Sequence, residues 1–446
     1  MQVTRALLER IEAWEPRLNA MYRLHRDAAL EQARASESRW RAGSALSPLD
    51  GVSITIKENI YTRGDPAPIG TRAYEDAPPQ GADAPAAARV REAGCVILGK
   101  TTMPDFGMLS SGVSSLHGVT RNPWQPDRNP SGSSSGAGAA AVAGYAPLHL
   151  GTDIGGSVRL PATHCGIFAL KPSLGRVPVH PPYMGRVVGP MTRTVADAAL
   201  LMSVVAQPDA RDFMSLPDKE ENFTPLAPLE AKGLRIGFLA SMGVGLDVHP
   251  EVHAAAESAA KALAAAGAAV DSIRTFLTEE MFDGVCRFFE ARSYNDLMQL
   301  APGKRQKVLP FVAEWCSWRA AHFSGRDVMQ AYALVMAMRE AAVATTRAYD
   351  FIVSPTSPIL PYDAELPAPE NDPTDALPHI AFTVPYNMSE QPAASINWSY
   401  AGDGLPIGVQ VIGKRFDDVG VLRLCLLLEQ LRPKQRSWPE LSVASG

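Results

Sequence analysis

The chain reads as an α/β fold in which helices cover both faces of a sheet, and three observations carry that prediction. Short aliphatic and β-branched runs alternate with longer segments of helical periodicity, the pattern of successive βα units. The 446 residues are 46% hydrophobic and 20% charged, a globular balance with ample material for a core. No internal repeat and no convincing linker interrupts them. The expectation is therefore one domain over 1–446, with an inserted helical region at about 270–345.

Residues 1–19 carry Leu7, Leu8, Ile11, Trp14 and Leu18 at helical spacing, with Arg5, Glu9, Arg10 and Glu12 between them. That is an amphipathic helix rather than a secretory leader, because it has no continuous apolar core. Residues 52–56 and 95–98 predict short buried strands, and 84–93 the helix that feeds the second. A small-residue helix is expected over 138–146 and an apolar one over 195–205. Residues 234–239 predict a strand and 251–266 an alanine-rich helix after it. Late strands are expected at 351–354 and 407–412. Residues 209–229, rich in Pro, Asp and Glu, predict a surface crossing. The proline-rich, acidic stretch 355–378 predicts a long irregular loop, a common form of binding loop.

A net charge of -5 and a pI near 6.0 leave no electrostatic footprint for nucleic acid. The cysteines, Cys95, Cys165, Cys286, Cys316 and Cys425, are odd in number, scattered and never in Cys-x-x-Cys spacing. This argues against a disulfide framework or structural zinc, and for a reducing cytoplasm. The longest apolar runs, such as 137–144, are too short and too broken by glycine to span a bilayer, so a soluble protein is expected. No His/Asp/Glu cluster has metal spacing and no H-E-x-x-H occurs, so neither metal nor cofactor is expected.

Several motifs compete for the chemistry. Residues 94–101 match G-x-x-x-x-G-K-T, but the four middle positions are Cys95, Val96, Ile97 and Leu98, which make a strand rather than an open phosphate loop. Residues 132–136 match G-x-S-x-G around Ser134, yet the preceding stretch holds three prolines and two asparagines instead of the strand a nucleophile elbow needs. A Ser-His-Asp α/β-hydrolase is thus a weak alternative. His164 and Cys165 lead into apolar Ile167–Leu170 and read as packing residues, as does His117. Lys57 is different. It follows a run that should be a buried strand, where lysine is seldom found without a purpose. Desolvation there favours the neutral amine, a base near neutral pH. The bland account is a lysine paired with Glu58 or another acid. Ser133 and Ser157 each lie among glycines, which let backbone N–H groups approach a reacting carbonyl.

Together these segments resemble the amidase signature family of hydrolases. The matching pieces are Asp50-Gly-Val-Ser-Ile-Thr-Ile-Lys57-Glu-Asn-Ile60, Arg121-Asn-Pro-Trp124, Pro130-Ser-Gly-Ser-Ser-Ser-Gly-Ala-Gly-Ala139 and Gly151-Thr-Asp-Ile-Gly-Gly-Ser-Val-Arg159. Further pieces are Ala169-Leu-Lys-Pro-Ser173, Gly189-Pro-Met-Thr-Arg193 and Asp403-Gly-Leu-Pro-Ile-Gly-Val-Gln410. The likeness covers nearly the whole chain. It implies an amidase-signature fold with a large mixed sheet and a Ser–Ser–Lys triad. Ser157 matches the nucleophile that forms an acyl-enzyme. Ser133 matches the bridging serine, reached through a cis peptide from Gly132, and Lys57 the final base. The N–H groups of Ile154, Gly155, Gly156 and Ser157 match the oxyanion hole. Ser135, Ala137 and Ala169 stand where glycine is commoner, and Glu58 where Asp is; these are mild departures. The chain also begins where family members are usually already in their second helix, which would leave surface open for a homodimer.

Such enzymes share the triad and differ in the pocket. By analogy, positions 107–111, Gly107 and Met108 among them, and the loops before Tyr386 and Trp398 would line it. Phe288, Phe289, Phe311, Trp315, Trp318 and Phe323 fit an apolar acyl or aryl site, and ordinary helix packing at least as well. No arginine stands out as a carboxylate clamp. The resemblance implies a broad hydrolase of small hydrophobic or aryl amides, with esters and carbamates plausible because they share a tetrahedral intermediate. The alternative with the same triad is the glutamine-hydrolysing component of a tRNA-dependent amidotransferase, which works only inside a complex. A non-catalytic binding protein is disfavoured, because all three chemical positions are present.

Overall fold

The computed structural model describes residues 1–217 and 222–440. An 11-stranded sheet runs through them, and a small hairpin stands apart from it. The strands in chain order are β1 (Met21–Leu24), β2 (Ser53–Lys57), β3 (Val96–Thr101), the hairpin pair β4 (Val113–Ser114) and β5 (Gly118–Val119), and β6 (Leu148–Asp153). Then come β7 (Phe168–Lys171), β8 (Val187–Thr192), β9 (Arg235–Phe238), β10 (Ala269–Ser272), β11 (Phe351–Pro355), β12 (Ala393–Tyr400) and β13 (Pro406–Ile412). Across the sheet the order is β1-β3-β2-β6-β8-β7-β12-β13-β11-β9-β10. β3, β2 and β6 are parallel, as are β11, β9 and β10. The central pairs from β6 to β11 are antiparallel, and β1 closes one edge antiparallel. The sheet is therefore mixed.

Side-chain alternation along β2 sets the two faces. Ile54 and Ile56 enter a core shared with the helices Pro85–Glu92, Val195–Val205, Pro250–Ala265 and Asp418–Leu431. Thr55 and Lys57 point to the opposite face. There Ser135–Ala143 and Arg159–Cys165 pack through Ala137, Ala141, Val142, Ala162 and Cys165 onto Ala169 of β7 and Met191 of β8. Side chains this small let the helix Ser135–Ala143 lie buried along its whole length. Gln2–Leu18 covers the β1–β3 end of that face with Leu8, Ile11, Trp14 and Leu18. A third group, including Glu279–Met298, Pro310–Ser317 and Gly325–Thr346, builds a separate apolar cluster with residues 377–388.

Three expectations shift. The small-residue helix lies at Ser135–Ala143, not 138–146, because Gly144 turns left-handed (φ 72) and residues 148–153 are needed for β6. Residues 269–272 are not part of the helical insertion but strand β10, paired in parallel with β9, so the helices begin at Glu279. β2 includes Lys57 as its last residue. Of the crossing expected at 209–229, residues 218–221 lie outside the described residues. Among the described residues no helix is long and apolar enough to cross a membrane.

Candidate active site

Parallel β2 and β6 end side by side, which brings Lys57 to the segment 151–159. Lys57 has no solvent exposure. Its Nζ lies 2.8 Å from Ser133 Oγ, 2.9 Å from Thr152 Oγ1 and 3.0 Å from Ser134 Oγ. Among the described residues no carboxylate pairs with it. Glu58 turns away, accepting from the N–H of Gly70 and bonding His117 Nε2 at 2.8 Å. Burial without a carboxylate partner pulls the Lys57 ammonium down to about 7, with Asp153 opposing the shift and the nearby Arg186 charge adding to it. Near neutrality much of Lys57 is thus the free amine, able to accept a hydroxyl proton.

Ser133 is presented by a tightly tied loop. Asn129 Oδ1 accepts from the N–H groups of Ser131 and Gly112, and the Gly132–Ser133 peptide is cis. A Cβ on residue 132 would sit 2.5 Å from the backbone N and O of Ser111, so glycine is required there. The N–H of Ser134 donates to the carbonyl of Ser157 at 3.2 Å, fastening the two serine loops together.

The turn carrying Ser157 is shaped by a buried acid. Asp153, at the end of β6, accepts from the N–H groups of Gly156 (2.8 Å) and Val158 (3.1 Å). It also receives both arms of the Arg159 guanidinium at 3.0 and 3.1 Å. Arg159 donates onward to Gln410, Asn387 and the carbonyl of Thr383, all buried. Burial alone would raise Asp153, but the Arg159 charge and hydrogen bonds outweigh it and hold the carboxyl at about 2. At Gly156 (φ 136) a Cβ would lie 2.6 Å from Thr383 Oγ1. Among the described residues, no acceptor binds the N–H groups of Ile154, Gly155 and Ser157. The N–H of Gly156 is already committed to Asp153. Of the four N–H groups expected to form an oxyanion hole, three therefore have no acceptor among the described residues and one has Asp153.

A narrow cavity of about 60 Å³ opens over these groups, lined by Ser133, Ser157, Thr152–Gly155 and Gly107–Ser110. Ser111 does not reach it, since its Oγ donates to the Leu366 carbonyl. Of the six aromatics in the helical region, Phe289 and Trp315 line the cavity. Phe288 packs on Phe289 and Tyr332, and Trp318 is exposed beneath Arg319. The stretch before Tyr386 contributes Leu377 and Ile380, whereas Trp398 is buried within β12 and its preceding loop is absent from the lining. Sequence reasoning missed Asn59, Thr152 and Arg186. Asn59 Nδ2 donates to Thr152 Oγ1 at 3.1 Å, and both residues lie inside segments already singled out, which was the available signal.

The competing motifs take structural places. Val96–Thr101 is β3, and Lys100 donates to the carbonyl of Ile60, so no phosphate loop forms. His164 and Cys165 are buried; burial pulls the imidazole down to about 4 and pushes the thiol up. No group of three or more His, Cys, Asp or Glu suited to a metal occurs among the described residues.

The chain is similar to known proteins over nearly its whole length. A family model described as Amidase matches residues 2–422. The A subunit of the glutamyl-tRNA(Gln) amidotransferase of Chloroflexus aggregans is 34% identical, covering 100% of this chain and 95% of its own. An acylamidase of Rhodococcus erythropolis is 32% identical over 97% of this chain and 92% of its own. The crystal structure of a bacterial aryl acylamidase of the amidase signature family superposes with a TM-score of 0.88 at 28% identity, covering 96% of this chain and 92% of that one.

Proposed function

The chain belongs to the amidase signature family, and from that premise we propose that it hydrolyses small hydrophobic or aryl amides through an acyl-enzyme on Ser157. The observation that carries the reading is the buried, acid-free Lys57 bonded to Ser133 at the wall of the cavity that also holds Ser157. In this reading neutral Lys57 takes a proton from Ser133 Oγ while Ser133 takes one from Ser157 Oγ, and Ser157 attacks the carbonyl. The N–H groups of Ile154, Gly155 and Ser157 receive the developing oxyanion, an interaction worth ~3–4 kcal/mol per donor. The proton returns along the same relay to the leaving amine, and water then releases the acid. Phe106, Met108, Leu109, Phe289, Trp315 and Ile380 give the cavity an apolar wall suited to an acyl or aryl group. Esters and carbamates pass through the same tetrahedral intermediate and belong to the same proposal. The five free cysteines, four of them buried, support a working place in a reducing cytoplasm.

The relatives named as glutamyl-tRNA(Gln) amidotransferase components favour a second reading, a glutaminase that works inside a complex. Purified chain assayed alone on p-nitroacetanilide, a phenyl ester and a phenyl carbamate separates the two. Turnover that disappears in Ser157→Ala supports the free hydrolase. Turnover only with glutamine and added partner proteins supports the second reading, and near-normal activity in Ser157→Ala sinks both.

A further inference from the structure

We propose that Arg186 and Arg292 form a carboxylate subsite in the wall of the catalytic cavity, so that the preferred amides carry an apolar group and a carboxylate. The proposal rests on the hydrolase reading above and names its substrate class. The two arginines come from separate elements. Arg186 immediately precedes β8, and Arg292 lies on the helix Glu279–Met298. Both line the cavity that contains Ser133 and Ser157. Both also line an adjoining cavity of about 410 Å³, which shares Asn59, Phe106 and Thr152 with the first.

Their guanidinium groups converge on one ring, with the Arg292 carbon 4.4 Å and the Arg186 carbon 5.4 Å from the centroid of Tyr183. Two like charges in the wall of one partly buried cavity repel, and an anion bound between them relieves that repulsion. Burial, and after it the Arg292 charge, pulls Arg186 down to about 10. Compensation comes from the Tyr183 ring and from Asp296, which also lines the larger cavity. Asp296 lies 4.0 Å from Arg292 Nε with its carboxylate more than a third exposed, and Arg186 donates to the Pro181 carbonyl at 3.3 Å. The contrast is Arg159, whose guanidinium is saturated by Asp153, Gln410, Asn387 and Thr383. Arg159 therefore reads as structure, and the Arg186–Arg292 pair as a receptor. A planar guanidinium fork suits a carboxylate, and the apolar wall across the cavity suits the remainder of the ligand. No such clamp is visible along the chain, because the two arginines are far apart in sequence and only the fold joins them.

Two substrate pairs test this. N-phenylsuccinamate and its neutral carboxamide place the charge on the acyl side; 4-acetamidobenzoate and 4-acetamidobenzamide place it on the amine side. The subsite predicts that, in at least one pair, wild-type kcat/KM favours the carboxylate about tenfold or more, the scale of a charged hydrogen bond. The ratio collapses towards one in Arg186→Gln and Arg292→Gln, chiefly through KM, while Arg186→Lys falls between. Preference for the neutral member in both pairs overturns the proposal, as does a ratio that survives both substitutions. Calorimetric titration of the same four compounds into Ser157→Ala keeps the inference separate from the chemistry. Carboxylate binding that weakens about tenfold on adding Arg186→Gln supports the subsite even if no compound is turned over, an outcome that refutes only the hydrolase reading. Equal binding with and without Arg186→Gln overturns the subsite.

Discussion

Lys57 unites burial, hydrogen bonding and proton affinity in one side chain. Its amine has three hydroxyl neighbours and no acid partner among the described residues, so the neutral form is favoured as pH rises through about 7. The proposed relay needs that form. The pH profile of kcat/KM should therefore show an ascending limb centred near 7 and a plateau above it, and a flat profile from pH 5 to 9 would remove Lys57 as the base. Lys57→Ala should lower kcat/KM by ~10²–10⁴, the usual contribution of a positioned base. Asp153 acts on position rather than on substrate. Asp153→Asn leaves the buried Arg159 charge without its counterion, and should destabilise the fold by ~3–5 kcal/mol in denaturant titration. Lys57, Ser133 and Ser157 stood out along the chain as candidates through the motifs that resemble the family, and the fold gathers them at one cavity. Thr152 and Asn59 did not stand out, because their role is to touch Lys57 and each other across strands.

At the level of elements, local pattern located the strands well where both faces are buried. β2, β3, β11 and β13 each fall within three residues of the apolar run that predicted them. Pattern failed where small residues dominate. Over 135–146 alanine and glycine carry no hydrophobic period, so the helix could be sensed but not placed. The turn after β6 depends on backbone as much as on side chains. Gly156 has a left-handed φ of 136, and a methyl group there would strike Thr383 Oγ1 at 2.6 Å and Leu160 Cδ1 at 2.8 Å. Gly156→Ala should displace the neighbouring N–H groups and cost ~1–3 kcal/mol, with kcat/KM falling more than stability. Melting curves and steady-state kinetics on the same preparation check this, and a variant with wild-type turnover would count against the three-donor oxyanion site.

Across the whole molecule, the mixed sheet buries three lysines, Lys57, Lys100 and Lys171, each drawn by desolvation from 10.5 to about 7. Between those values the unfolded chain binds more protons than the folded one, so these groups make stability rise with pH over about 7–10.5. Lys57→Met isolates one of them. Its stability relative to the parent protein, from urea midpoints at pH 7 and pH 9.5, should decline as pH rises, and a constant difference would contradict the depressed Lys57 value. Segment order, the alternation of strands and helices, and the candidacy of Lys57, Ser133 and Ser157 could be read along the chain, because each rests on a motif of neighbouring residues. The pairing order of the sheet, the retreat of the Gly156 N–H to Asp153, the choice of Phe289 and Trp315 for the cavity wall and the meeting of Arg186 with Arg292 could not. Each of these is a contact that sequence spacing does not specify, and which groups meet is set by how the whole sheet and its covering helices pack.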